Sequence, residues 1–186
     1  MPKDHFQPQR GCGCSSNVRA HSGLEILSVT YHHPHMPQSL SAVYIHLVFS
    51  TKERRPFLRN PTIRAALHSY LGGVSKQLEC PTLLVGGVED HVHVLARLGR
   101  SITQADWVKE IKRVSTDWLQ TKSPDYADFH WQGGYADFSV SQSNLEEVKA
   151  YIASQEEHHR KLTFQEEVRA LLRKHELQWD ERYVWE

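Results

Sequence analysis

No stretch of this sequence stays apolar long enough to cross a bilayer, so a membrane-spanning protein is not expected and no membrane partner is implied. The N-terminus lacks a basic segment followed by an apolar run, which removes a secretory signal. Cysteine is scarce. Cys12, Cys14 and Cys80 cannot close a set of disulfides, and a reducing, cytoplasmic compartment is the expectation. Charge of one sign is missing too: 22 basic residues balance 22 acidic ones, which argues against coating nucleic acid by bulk charge. No internal repeat is present. Histidine is plentiful, at 13 in 186 residues, and the 39% hydrophobic content suits one domain with a real core.

Residues 1–35 differ from the rest of the chain. They hold several Pro, Gly and Ser, five of the 13 histidines and no sustained period, and they read as a disordered leader or a start-site extension. Cys12 and Cys14 with His21, His32, His33 and His35 suggest a metal tract, but C-x-C is too tight for the usual zinc knuckle. From Met36 onward, through residue 186, the pattern is regular and predicts a single folded domain. Ala42–Ser50 reads as a strand, Pro61–Leu78 as a helix, and Pro81–Val88 with His91–Leu98 as a hairpin. Ser101–Lys122 is a helix whose Trp107, Ile111, Val114 and Trp118 read as core packing. Gly134–Ser141 is a fourth strand. Ser143–Leu162 is predicted as one long helix with a Ser143/Glu146 capping box, and an amphipathic helix from Phe164 comes after it. The order β-α-β-β-α-β predicts an α+β, ferredoxin-like split βαβ fold with an antiparallel four-stranded sheet and C-terminal helices.

"EDHVHVLARL" carries the first chemical signal. Alternation sends His91 and His93 to one face of the strand and Val92 to the other, with the two imidazoles about 6–7 Å apart at the backbone. Neutral imidazole is the commonest ligand for divalent metals, although such a pair on a strand is often only a polar surface pair. On the Ser143 helix, Leu145, Val148 and Ile152 form the apolar stripe, with Tyr151 at its edge. Gln155 and His158 come after Tyr151 at one-turn intervals. If this helix packs on the open sheet face, a phenol, an amide and two imidazoles converge. A phenol needs help from its surroundings to act as a nucleophile, and a cation held by neutral ligands keeps its charge for a phosphate. A half-buried structural tyrosine is the simpler reading of Tyr151, and spacing alone does not single it out among seven tyrosines.

"EDHVHVLARL" together with "WQGGYADFSVSQSNLEEVKAYIASQEEHH" resembles the single-tyrosine HUH transposases of the insertion sequence 200/605 family. "IHLVFSTKERRPFL" resembles the family's first strand and adjoining loop, so the resemblance runs over about residues 36–175. It implies that His91, His93 and Gln155 bind Mg2+ or Mn2+ and that Tyr151 is the nucleophile. The implied activity is cutting and rejoining single-stranded DNA at the ends of an insertion element through a 5′-phosphotyrosine, leaving a free 3′-OH. One phosphoester is exchanged for another, so no ATP is needed. The implied partners are DNA with subterminal hairpins and a second copy of the chain, whose tyrosine helix completes the site in trans.

The basic residues Lys52, Arg54, Arg55 and Arg59 in one loop, and Lys109, Lys112 and Arg113 on a helix, are candidate phosphate contacts; each set reads equally well as solvated surface. Two other readings stay open on the residues. One is a non-catalytic ferredoxin-like nucleic-acid-binding module, and the other a metal-dependent hydrolase using a bound water. His158 and His159 carry no assigned role beyond favourable placement at a helix C-terminus.

Overall fold

Alternation along the first strand decides the layering. In the computed structural model, which describes residues 39–185, Tyr44–Ser50 forms β1. Ile45, Leu47 and Phe49 enter the main core, while His46 and Val48 point to the opposite face. The strand β3 (His91–Arg97) repeats the pattern: Val92, Val94 and Ala96 join the main core, and His91, His93 and Leu95 face the other way.

α1 (Pro61–Gln77) and β2 (Thr82–Gly87) lie between these strands in sequence, and α2 (Gln104–Gln120) and β4 (Ala136–Val140) come after them. The sheet order is β2-β3-β1-β4 and every pair is antiparallel, as the ferredoxin-like reading requires. Both histidine-bearing strands, β1 and β3, are therefore interior. The leader, with Cys12, Cys14 and the histidines before Met36, lies outside the described residues. Cys80 is buried and free. Among the described residues, no helix is long and apolar enough to cross a membrane.

The crossover helices start where their caps say they should. The Asn60 side chain accepts from the backbone N–H of Thr62 and Ile63 at 2.9 and 3.3 Å, with Pro61 in the first helical position. Thr103 accepts from the Asp106 N–H at 3.1 Å to open α2. The two helices cover one face of the sheet, and Leu67, Leu71, Trp107 and Ile111 are fully buried beneath them. Each such aliphatic side chain contributes about 1.5–3 kcal/mol. The buried indoles keep their N–H groups satisfied, Trp107 donating to Ser75 Oγ at 2.8 Å and Trp131 to Ser115 Oγ at 2.9 Å.

The opposite face differs from expectation in one respect. The predicted single helix over Ser143–Leu162 is broken into a 3-10 turn at Gln142–Asn144, α3 (Leu145–Ala153) and α4 (Gln155–His158). The break falls at Ser154, whose backbone (φ −93°, ψ 11°) leaves the helix while its N–H still bonds the Ala150 carbonyl. The bend lets the buried Gln155 turn inward while Ser154 stays exposed. The Ser143/Glu146 capping box is absent as well: Ser143 bonds Ser141 and Asn144, and Asn144 caps α3 without a side-chain bond. A true capping box instead pairs Thr163 with Glu166 at the start of α5 (Phe164–Lys174).

Two small apolar clusters fasten these helices to the sheet. Leu145 and Ile152 of α3 pack with Leu95, while Phe164, Val168 and Leu172 of α5 pack with Val48 and Phe138. The approach of α3 to β2 is close enough to require a residue without a side chain at Gly86, whose strand partner is His93.

Candidate metal centre

Between the two clusters, polar side chains from β3, α3 and α4 converge on one buried carboxylate of α5. Glu167 of α5 is 1% exposed, and His91, His93 and Gln155 are equally enclosed. Its Oε1 accepts hydrogen bonds from the Tyr151 hydroxyl and from Gln155 Nε2, the latter at 2.9 Å. Its Oε2 stands 3.0 Å from His159 Nε2, 3.6 Å from His91 Nε2 and 3.5 Å from His93 Nε2. His158 Nε2 lies further out, 3.8 Å from Oε1. The Gln155 carbonyl oxygen faces His91 Nε2 at 3.5 Å.

The far nitrogens of the two strand histidines are held differently. His91 Nδ1 bonds the Asp90 carboxylate at 2.7 Å, which fixes the ring so that Nε2 faces inward. His93 Nδ1 pairs instead with Nε2 of His46 on β1, at 2.9 Å. His93 Nε2 is buried and has no hydrogen-bond partner. A buried nitrogen without a partner, aimed at a carboxylate and flanked by a second imidazole and an amide oxygen, suits a cation. His91, His93, His159 and Glu167 each offer one ligand atom, all within 4.8 Å of one another. Imidazole with oxygen donors fits a divalent metal.

Electrostatics derive from this enclosure. Burial and the neighbouring His93 push His46 down to about 3, and burial pushes His93 down to about 4, so both rings are neutral at neutral pH. Burial raises the Tyr151 phenol above its ordinary value, and the adjacent Glu167 carboxylate raises it further. Burial alone would raise Glu167. The hydrogen bond from His159 and the His93 imidazole standing beside the carboxylate outweigh it and hold the carboxyl well below the usual carboxylate range. His159, although burial opposes its charge, is raised by the same carboxylate.

Sequence reasoning named Tyr151, His91, His93 and Gln155, and the structure brings all four together within a single chain. It did not find His46, Asp90 or Glu167, and it left His159 without a role. The basic residues stand apart from this cluster. Lys52 and Arg54 are in a 3-10 turn after β1, the Arg55 guanidinium lies 4.5 Å over the Phe57 ring, and Arg59 faces Glu89 at 3.5 Å. On α2, Lys109 is exposed and Arg113 is paired with Glu110 and Asp117 at 2.6 and 3.2 Å. Lys112 donates to the carbonyls of Gln132, Gly133 and Gly134 at 2.5, 3.1 and 3.0 Å, which pins the loop ahead of β4.

A cavity of about 270 Å³ opens beside the Tyr151 ring, lined by His46, Phe138, Val148, His158 and Leu171.

Residues 39–155 match the family described as IS200-like transposases. Among solved structures, the chain is similar to a candidate transposase from Deinococcus radiodurans R1, with a TM-score of 0.50 and 21% identity over 66% of this chain and 97% of that one. This likeness shows the fold. The chain is also similar to a REP-associated tyrosine transposase bound to a REP hairpin, at a TM-score of 0.45 and 13% identity over 66% and 69% of the two chains. No curated protein matches the sequence. The family match ends at Gln155, so His159 and Glu167 lie beyond it.

Proposed function

The chain belongs to the IS200-like transposase family, and from that premise we propose that it cuts and rejoins single-stranded DNA at insertion-element ends through a 5′-phosphotyrosine on Tyr151. One observation carries the reading. The Tyr151 hydroxyl and the partnerless His93 Nε2 face the same buried carboxylate, in a chain of this family.

His91, His93 and Gln155 would hold Mg2+ or Mn2+. A divalent cation there supplies positive charge to the scissile phosphate and to the charge that develops on it. Asp90 and His46 orient the two imidazoles. Glu167 orients the phenol through the bond from its hydroxyl. In the first step the Tyr151 oxygen bonds phosphorus as its proton moves along that hydrogen bond to Glu167 Oε1. The P–O3′ bond breaks, and the 3′ oxygen leaves as a hydroxyl after taking a proton from solvent. A 3′-OH then reverses these events on the phosphotyrosine, so no ATP enters.

Lys52, Arg54, Arg55 and Lys109 are the basic groups best suited to hairpin phosphates, which fix position without reading sequence. Arg59, Lys112 and Arg113 have partners within the fold and contribute less. The reading keeps a homodimer and a cytoplasmic setting, as the family implies.

The test mixes the full chain with labelled single-stranded DNA bearing candidate element ends, with Mn2+ or with chelator, on a denaturing gel. A metal-dependent adduct mapping to Tyr151 is expected, and Tyr151→Phe abolishes it while hairpin binding survives. Normal adduct formation by that variant, or no adduct on DNA the protein binds, overturns the assignment.

A further inference from the structure

We infer that Glu167 is a direct ligand of the same cation, through Oε2, so that α5 completes the metal site. This rests on the metal reading proposed for His91, His93 and Gln155.

Three separations carry it. Oε2 lies 3.6 Å from His91 Nε2 and 3.5 Å from His93 Nε2, and the Gln155 amide oxygen lies 3.5 Å from His91 Nε2. These are long for hydrogen bonds. They suit atoms that share an ion: ligands at roughly 2.0–2.2 Å from one metal stand about 2.8–3.1 Å apart at octahedral angles and about 3.3–3.6 Å apart at tetrahedral ones. The two imidazole nitrogens and the carboxylate oxygen therefore lie within reach of one point, with the amide oxygen beside one of them.

The roles of the two carboxylate oxygens are distinct. Oε1 is taken by Tyr151 and by the Gln155 amide N–H, which turns the Gln155 oxygen toward His91. Oε2 is left to the imidazoles. His159, at 3.0 Å, makes a true hydrogen bond to Oε2 and is half-buried, so it belongs outside the ligand set as the group that holds the carboxylate. A carboxylate also shifts the donor set from imidazole toward oxygen, the preference of Mg2+ and Mn2+. One helix beyond the family-matched segment thus supplies both an anionic ligand and the orientation of the nucleophile.

The experiment titrates Mn2+ into the full chain by calorimetry and by loss of the free-ion spin-resonance signal, without DNA. Glu167→Gln keeps the shape and removes the charge. It is expected to weaken Mn2+ binding by at least ~10-fold, since even outer partners of metal ligands cost about 10–100-fold. Wild-type or tighter binding by Glu167→Gln overturns the inference. The double variant His91→Ala with His93→Ala separates the two claims. If it alone abolishes binding, the metal reading stands and Glu167 is no ligand; if it binds Mn2+ as the wild type does, the metal reading itself falls. Because an outer partner such as His46 carries a loss of the same size, a Mn2+ soak of wild-type crystals separates ligand from support by anomalous scattering, whether or not Glu167→Gln folds. Density bonded to Oε2 supports the inference, and an ion on the imidazoles with Oε2 turned away overturns it.

Discussion

Replacing Gly86 with alanine tests the link between packing and the site. A Cβ there would lie 2.7 Å from Cγ2 of Ile152 and 2.9 Å from the Ile152 carbonyl oxygen. The methyl has some freedom, but the carbonyl is helix backbone and moves only with α3. Relief to ordinary contact requires α3 to retreat by about half an ångström. Such overpacking costs about 1–3 kcal/mol. For a folded body of about 150 residues that lowers Tm by roughly 2–12 °C. Ile152 lies between Tyr151 and Gln155 in sequence, so the retreat reaches the site, where a 1 Å misplacement costs about 100-fold in rate. Gly73→Ala is the internal control. That glycine sits exposed on α1 with nothing within 4 Å of an added Cβ, and the substitution is expected to stabilise by about 0.5–1 kcal/mol through helix propensity. Thermal unfolding followed by circular dichroism in chelator measures both, and the Mn2+-dependent adduct assay reads the site. The reasoning fails if Gly86→Ala melts at or above the wild-type temperature, or if both variants shift in the same direction.

Removing the His46 side chain (His46→Ala) leaves His93 Nδ1 without its 2.9 Å partner and is expected to weaken Mn2+ binding by about 10–100-fold, measured by calorimetry; unchanged affinity would mean the imidazole needs no support. His68 on α1 has a buried, partnerless Nε2, and burial lowers it from its ordinary 6.5 to about 4. Between those values the unfolded chain binds a proton that the folded one refuses, so stability is full above about pH 6.5 and falls as the pH drops toward 4. The contribution is roughly 2 kcal/mol lost at pH 5, and the neutral His46 and His93 act in the same direction. Urea midpoints at pH 7 and pH 5, in chelator, should fall less for His68→Leu than for wild type; equal losses would refute the burial argument.

The sheet was legible because each strand speaks in a period of two. In "HVHVLAR" the valines and the histidines occupy opposite tracks, which is enough to predict one face for the core and the other for chemistry. Tyr151 and Gln155 were legible only as spacing on a helix, and their meeting with His91 depended on which face that helix covers. The break at Ser154 was not legible. "YIASQEEHH" holds no Gly or Pro, and what bends it is the tertiary demand of a buried amide. Glu167 left a faint mark: it lies three residues after Phe164 and one before Val168, a carboxylate among the side chains that dock α5. Periodicity reads such a residue as solvated, because only the opposing imidazoles make its burial affordable.

The buried cluster gathers His46, His91, His93, Gln155 and Glu167 from β1, β3, α4 and α5, so it is written across nearly the whole described chain. No short fragment of the chain therefore holds the cluster by itself. A nascent chain released before α5 has docked holds imidazoles without their carboxylate and a phenol without its acceptor. On the proposed function, strand cleavage would then depend on α5 being in place, and a chain without it would leave DNA uncut.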